Sequence, residues 1–163
     1  MKKAVFLDRD GIVNREIGDY IKRYEEFELL PDLFPFLYEV KKRGYLTVII
    51  TNQAGIAKGL YDHELVHACH DFMQEELKGH GLAFDAIYYC PHHPDFGQCL
   101  CRKPQSLLVE KAIGRFGLDP EKCFMIGDKD RDVQAAQGAG VKGFKLQANP
   151  TIEELMSCLP YEN

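Results

Sequence analysis

The stretch AVFLDRDG, residues 4–11, decides how the rest of the chain is read. Four apolar residues run straight into Asp8, Arg9, Asp10 and Gly11. A short continuous apolar run, stopped by polar residues and a glycine, is the pattern of a strand buried on both faces. Two carboxylates stand two positions apart where that strand ends. In parallel sheets, ligands bind beyond the carboxyl ends of the strands. The pair therefore marks a candidate site as well as a boundary.

The pattern recurs in LTVII (46–50), AIYY (86–89), CFMI (123–126) and GFKL (143–146), all read as buried parallel strands. Between them, apolar residues fall at helical spacing: Leu33, Phe36, Leu37 and Val40, then Leu65, Cys69, Phe72 and Met73, then Leu108, Ala112, Ile113 and Phe116. Thr151 with Glu154 has the form of a capping box opening a last helix. Alternating strands and helices predict an α/β fold, a doubly wound parallel sheet with helices on both faces. Each strand is followed by polar residues. Thr51, Asn52 and Gln53 follow the second, a Cys/His stretch ending in Arg102 and Lys103 follows the third, and Gly127, Asp128, Lys129 and Asp132 follow the fourth. A single aspartate after a strand is ordinary turn chemistry. Four such clusters in order converge on one sheet edge.

Asp8, Asp10 and Asp128 offer hard oxygen ligands suited to Mg²⁺. Thr51 offers a hydroxyl and Lys103 a point charge, both suited to phosphate oxygens. A carboxylate beside Mg²⁺ can attack phosphorus and form an aspartyl-phosphate. A second carboxylate can supply and then recover the proton.

The stretch CPHHPDFGQCLCRKP, residues 90–104, holds Cys90, His92, Cys99 and Cys101 in the spacing C-x-H-x6-C-x-C. Three thiolates and an imidazole form a closed tetrahedral set, typical of structural Zn²⁺ with no position left for water. His93 is an adjacent alternative ligand. A zinc-stapled loop over 90–101 would fix Arg102 and Lys103 at the carboxylates. Cys69 and Cys123 read as small core residues, and Cys158 has no partner at ligand spacing. His63, His67 and His70 read as a solvated helix face, and EEFE (25–28) as a solvated loop.

The chain has 163 residues, 45% of them hydrophobic, enough for one domain spanning 1–163. The formal net charge of -5 argues against nucleic acid as a partner. Lys2 and Lys3 before AVFL faintly resemble a signal-peptide start, but the apolar run stops at Asp8, too early. With no apolar stretch of spanning length, the expectation is a cytoplasmic monomer with reduced thiols, no membrane partner and a small-molecule substrate. Neither interval between the clusters has room for a separate cap domain of roughly 100 residues. The site should be open, covered only by the loop at 14–24 and the Cys/His loop.

VFLDRDG, IITNQAG, CRKP and MIGDKDRD resemble the four motifs of the haloacid dehalogenase superfamily. The resemblance implies a Rossmann-like sheet, with Asp8 as nucleophile and Asp10 as acid/base. It implies that Thr51 and Lys103 hold the phosphoryl group. Asp8, the backbone carbonyl of Asp10 and Asp128 would bind Mg²⁺, and Asp132 would orient its neighbours. Ile12 departs from the pattern, which has threonine there. Within the superfamily the chain resembles two branches with a zinc loop before CRKP, the heptose-bisphosphate phosphatases and the histidinol-phosphate phosphatases. TNQAGIAKG (51–59), GDK (127–129) and GDYI (18–21) are similar to the heptose branch. That likeness implies substrate contacts from Arg9, Asn14, Tyr20, Asn52, Gln53, Arg102 and Lys129. The short interval from His92 to Cys99 is similar to the histidinol branch instead. The expectation is a Mg-dependent phosphomonoesterase removing the 7-phosphate of D-glycero-D-manno-heptose 1,7-bisphosphate. Histidinol-phosphate phosphatase is the alternative. A polynucleotide 3′-phosphatase and a non-enzymatic zinc module stand behind both.

Overall fold

The computed structural model describes residues 2–161. Five strands, β1 (Lys3–Leu7), β2 (Tyr45–Asn52), β3 (Ala86–Cys90), β4 (Phe124–Gly127) and β5 (Lys142–Lys145), form one parallel sheet in the order β3-β2-β1-β4-β5. The helices are α1 (Leu33–Lys42), α2 (His63–Lys78), α3 (Leu107–Phe116), α4 (Asp130–Gly138) and α5 (Ile152–Ser157).

Side chains alternate across the pleat, and both faces are buried. Val5, Leu7, Ile49 and Ile126 join one apolar cluster with residues of α1, α2 and α5. Ala4, Phe6, Val48, Ile50 and Met125 join the other with residues of α3 and α4. This is why the strands read as unbroken apolar runs rather than alternating ones. The exception is β5, where Lys142 and Lys145 are exposed and Gly143 and Phe144 half-buried. It is the sheet's edge, where charged side chains discourage pairing with another chain.

Two features place the site. The strand order reverses at β1, which pairs with β2 on one side and β4 on the other. In doubly wound sheets such a switch point opens the ligand crevice. Leu7 lies level with Ile49 and Ile126, so the residues after β1, β2 and β4 emerge side by side. Ile12 is fully buried in the first cluster. Burying such a side chain contributes roughly 1.5–3 kcal/mol, so packing anchors the turn after β1 where the superfamily uses a hydroxyl. The Thr151 hydroxyl accepts from the Glu154 amide at 3.3 Å, capping α5 as the sequence predicts. Among the described residues no separate cap domain folds between β1 and β2 or between β2 and β3; the first interval holds α1 and the second α2.

Candidate active site

Asp8 is 7% exposed at the end of β1. Lys103 is 2% exposed and reaches Asp8 from the loop before α3. Its Nζ donates to Asp8 Oδ1 at 2.9 Å and to the Ile50 carbonyl at 2.7 Å, and it lies 2.6 Å from Asp132 Oδ1. Burial pushes the Asp8 carboxyl up to about 7, although the Lys103 charge opposes it; nearby Asp132 adds to the rise. Burial alone would lower the lysine's affinity for its proton, but Asp8 and Asp132 together raise it, so Lys103 stays cationic.

Asp132 sits at the start of α4. Its Oδ2 accepts from the Lys129 amide at 3.0 Å while its other oxygen faces Lys103. Both carboxylate oxygens are thus engaged, one on the backbone of the turn before α4 and one on Lys103. Ligand oxygens of Asp8, Asp128 and Asp132 lie within 4.8 Å of one another. Asp128 Oδ2 is buried with no hydrogen-bond partner, and its nearest cation, Lys129 Nζ, is 4.0 Å away. A buried carboxylate oxygen left unpaired is costly, so this donor set fits a hard divalent cation. Gly11 permits the close approach. Its φ is +92°, and a Cβ there would stand 2.7 Å from Asp128 Oδ2.

Asp10 is held differently. Its Oδ1 accepts from Arg9 Nη2 at 2.9 Å, Arg9 Nε at 3.2 Å and Asn14 Nδ2 at 2.9 Å, and its Oδ2 accepts from Gln53 Nε2 at 3.0 Å. Burial would raise its pKa, but the Arg9 charge and these donors hold it below the usual carboxylate range. Gln53 also donates to Thr51 Oγ1 at 2.9 Å, and Tyr61 donates to Gln53 Oε1 at 2.7 Å. Thr51 itself is 1% exposed at the end of β2.

Three of the residues expected to contact substrate are engaged with Asp10 instead. Arg9, Asn14 and Gln53 are 1%, 0% and 2% exposed, and each donates a side-chain hydrogen bond to Asp10. Their polar groups are turned onto Asp10. Asn52 clips the Lys103 segment to β2: its Oδ1 accepts from the Lys103 amide at 3.0 Å and its Nδ2 donates to the Lys103 carbonyl at 3.1 Å. Phe27, in the stretch expected to be solvated, is buried with its ring 5.3 Å from the Arg9 guanidinium. His70 is likewise buried, on the face that α2 turns inward with Val66, Cys69 and Met73. Its Nε2 lies 3.3 Å from Arg9 Nη1. His63 and His67 do stay exposed, both against the Tyr89 hydroxyl.

A cavity of about 430 Å³ opens above Asp8, Asp10 and Asp128. Tyr20, Asn52 and Lys129 line it, as the sequence leads one to expect; Arg131, which sequence reasoning missed, lines it too. The signal was present, since Arg131 stands two residues after Lys129 in MIGDKDRD, one helix-turn from the carboxylates. Arg102 does not line this cavity. It donates to the His92 carbonyl at 3.3 Å and faces a neighbouring cavity of about 380 Å³ beside the Cys/His loop.

In that loop, ligand atoms of Cys90, His92, Cys99 and Cys101 converge within 4.8 Å. The Cys90–Cys101 and Cys90–Cys99 sulfurs are 3.2 and 3.7 Å apart, far beyond the ~2.05 Å of a disulfide. The Nδ1 of His92 lies 3.4 Å from Cys90 Sγ and 3.3 Å from Cys101 Sγ. These separations suit the corners of a tetrahedron around zinc. His93 is turned away and accepts from the Asp95 amide.

A family model described as HAD-hydrolase-like matches residues 100–147. A D-glycero-beta-D-manno-heptose-1,7-bisphosphate 7-phosphatase of Haemophilus ducreyi is 36% identical over 99% of both chains. The chain belongs to the heptose-bisphosphate phosphatase family of HAD-like hydrolases. A Photorhabdus laumondii member of that family is 42% identical, covering 82% of this chain and 73% of its own. The D,D-heptose 1,7-bisphosphate phosphatase of B. bronchiseptica, solved with magnesium and phosphate, superposes with a TM-score of 0.83 at 34% identity, covering 98% of this chain and 89% of its own. The comparisons thus favour the heptose branch over the histidinol branch, despite the short Cys/His loop. Heptose-bisphosphate phosphatases and this chain share the phosphatase chemistry of the superfamily.

Proposed function

We propose that the protein removes the 7-phosphate of D-glycero-D-manno-heptose 1,7-bisphosphate through an aspartyl-phosphate on Asp8. The observation that carries this is Asp8 itself, a buried carboxylate at the sheet's switch point, with one oxygen on Lys103 and the open cavity above it. Its carboxylate oxygen attacks phosphorus while the bond to the sugar's O7 breaks. Asp10 gives a proton to the departing alkoxide, then takes one from the water that hydrolyses the aspartyl-phosphate. The clamp on Asp10 keeps it aimed and ready as a base. An arriving phosphoryl dianion opposes that clamp and favours the protonated form needed for the first step. Thr51 and Lys103 face the transferring group's oxygens. Magnesium, held by Asp8, Asp128 and the Asp10 carbonyl, would neutralise charge on the phosphoryl group. Zinc on Cys90, His92, Cys99 and Cys101 would order the loop that carries Lys103.

We place the reaction in the cytoplasm, where the six cysteines, all free, stay reduced. No helix among the described residues is long and apolar enough to cross a membrane. We read the chain as a monomer with one domain over 1–163. The test is substrate competition. We expect kcat/KM for the heptose bisphosphate to exceed that for histidinol phosphate by at least ~10². Equal values, or the reverse order, would end the heptose assignment.

A further inference from the structure

The substrate reading above leaves a charge to be placed. A heptose bisphosphate carries a second phosphate at the end of the sugar away from the bond that breaks. A dianion in a cavity needs cationic or hydrogen-bond donors. The cavity offers few. Five carboxylates line it, those of Asp8, Asp10, Glu16, Asp19 and Asp128, against two cations, Lys129 and Arg131.

The other cations near the cleft are already engaged. Lys103 is spent on Asp8 and Asp132, and Arg9 on Asp10. Arg15 pairs with Glu28 at 3.2 Å, and Lys22 pairs with Asp19 at 2.8 Å. Lys58 rests over the Tyr20 ring at 5.2 Å, and Arg102 points to the neighbouring cavity. Lys129 is partly engaged by Asp128 at 4.0 Å. Arg131 has neither an ion pair nor a hydrogen bond among the described residues. Its obvious partner, the adjacent Asp130, is taken by Lys145 at 2.9 Å. The arginine is exposed, on the first turn of α4, with its guanidinium free to grip an anion in two parallel hydrogen bonds.

We propose that Arg131 is the specificity-determining residue for the distal phosphate, acting beside Lys129. The proposal rests on the heptose-bisphosphate reading. The test is the ratio of kcat/KM for the 1,7-bisphosphate to kcat/KM for the same heptose carrying only the 7-phosphate. Arg131→Ala should lower this ratio at least ~tenfold, and Arg131→Lys, which keeps the charge but loses the fork, should restore part of it. Arg131→Gln, close in length, guards against a folding defect of the alanine variant and should also lower the ratio. An unchanged ratio in Arg131→Ala and Arg131→Gln, or a wild-type ratio near one, overturns the proposal and leaves the phosphatase reading intact. A wild-type protein that hydrolyses neither heptose ester overturns the substrate reading itself, and the role of Arg131 falls with it.

Discussion

Arg9 and Asp10 are neighbours in sequence, and their side chains form a partly buried ion pair at 2.9 Å, the arginine buried and the aspartate open to the cavity. The guanidinium's remaining edge lies 3.3 Å from the His70 ring, sixty-one positions away. A buried arginine fixed on both edges gives the Asp10 carboxylate, the proposed acid/base, a rigid backing. It also puts a histidine where taking a proton is disfavoured. Burial, and then the Arg9 charge, hold His70 down to about 3.

That depression sets a sign. Below an unfolded pKa near 6.5 the unfolded chain protonates His70 and the folded chain does not. This group therefore removes stability as the pH falls from about 6.5 toward 3. The slope is up to ~1.4 kcal/mol per pH unit. His70→Gln keeps an acceptor for Arg9 and removes the titration. Between pH 7 and 4 its urea midpoint should fall less steeply than that of the wild type, with an unchanged m-value. A parallel pair of curves would contradict this.

Asp8 titrates with the opposite sign. Its folded pKa of about 7 stands above the unfolded value of 3.8, so the folded state holds an extra proton in that window. Without added magnesium, stability from Asp8 grows as the pH falls from 7 toward 4. Asp8→Asn should be more stable than wild type near pH 8, and its advantage should vanish toward pH 4. The same variant should lose at least ~10³ in turnover, because the attacking oxygen is gone. Near-normal turnover in a folded preparation would refute the nucleophile's identity.

Metal removal separates the two metals. After dialysis against EDTA, zinc should stay near one per chain and activity should return with Mg²⁺ alone. Activity that needs zinc restored, with the fold intact, would show the zinc to be catalytic. Cys99→Ser should release the loop before Lys103 and lose activity through disorder of that segment.

The strands after which the site residues emerge were legible because both sheet faces are buried, leaving apolar runs such as VFL and VII unbroken. Helix α4 was not, because its inward face is Ala135 and Ala136, too small to mark an apolar stripe. The carboxylates proposed as catalytic were legible as motif positions. The structure behind them was not. Arg9, Asn14 and Gln53 look like substrate contacts in a motif, yet each is turned inward to Asp10, and charge and polarity in sequence do not reveal that direction. His70 could have been found, since it falls at helical spacing with Val66, Cys69 and Met73 on the buried face. Arg102 follows the last zinc ligand at once, and only the loop's path shows that it faces away from the cavity.

The central claim is that this site cleaves the phosphate at carbon 7 and spares the one at carbon 1. The direct measurement is a ³¹P NMR time course of D-glycero-D-manno-heptose 1,7-bisphosphate with the enzyme and Mg²⁺. The 7-phosphate resonance should be replaced by inorganic phosphate while the anomeric phosphate persists at full intensity. Loss of the anomeric signal first, or no phosphate release at all, would contradict the account.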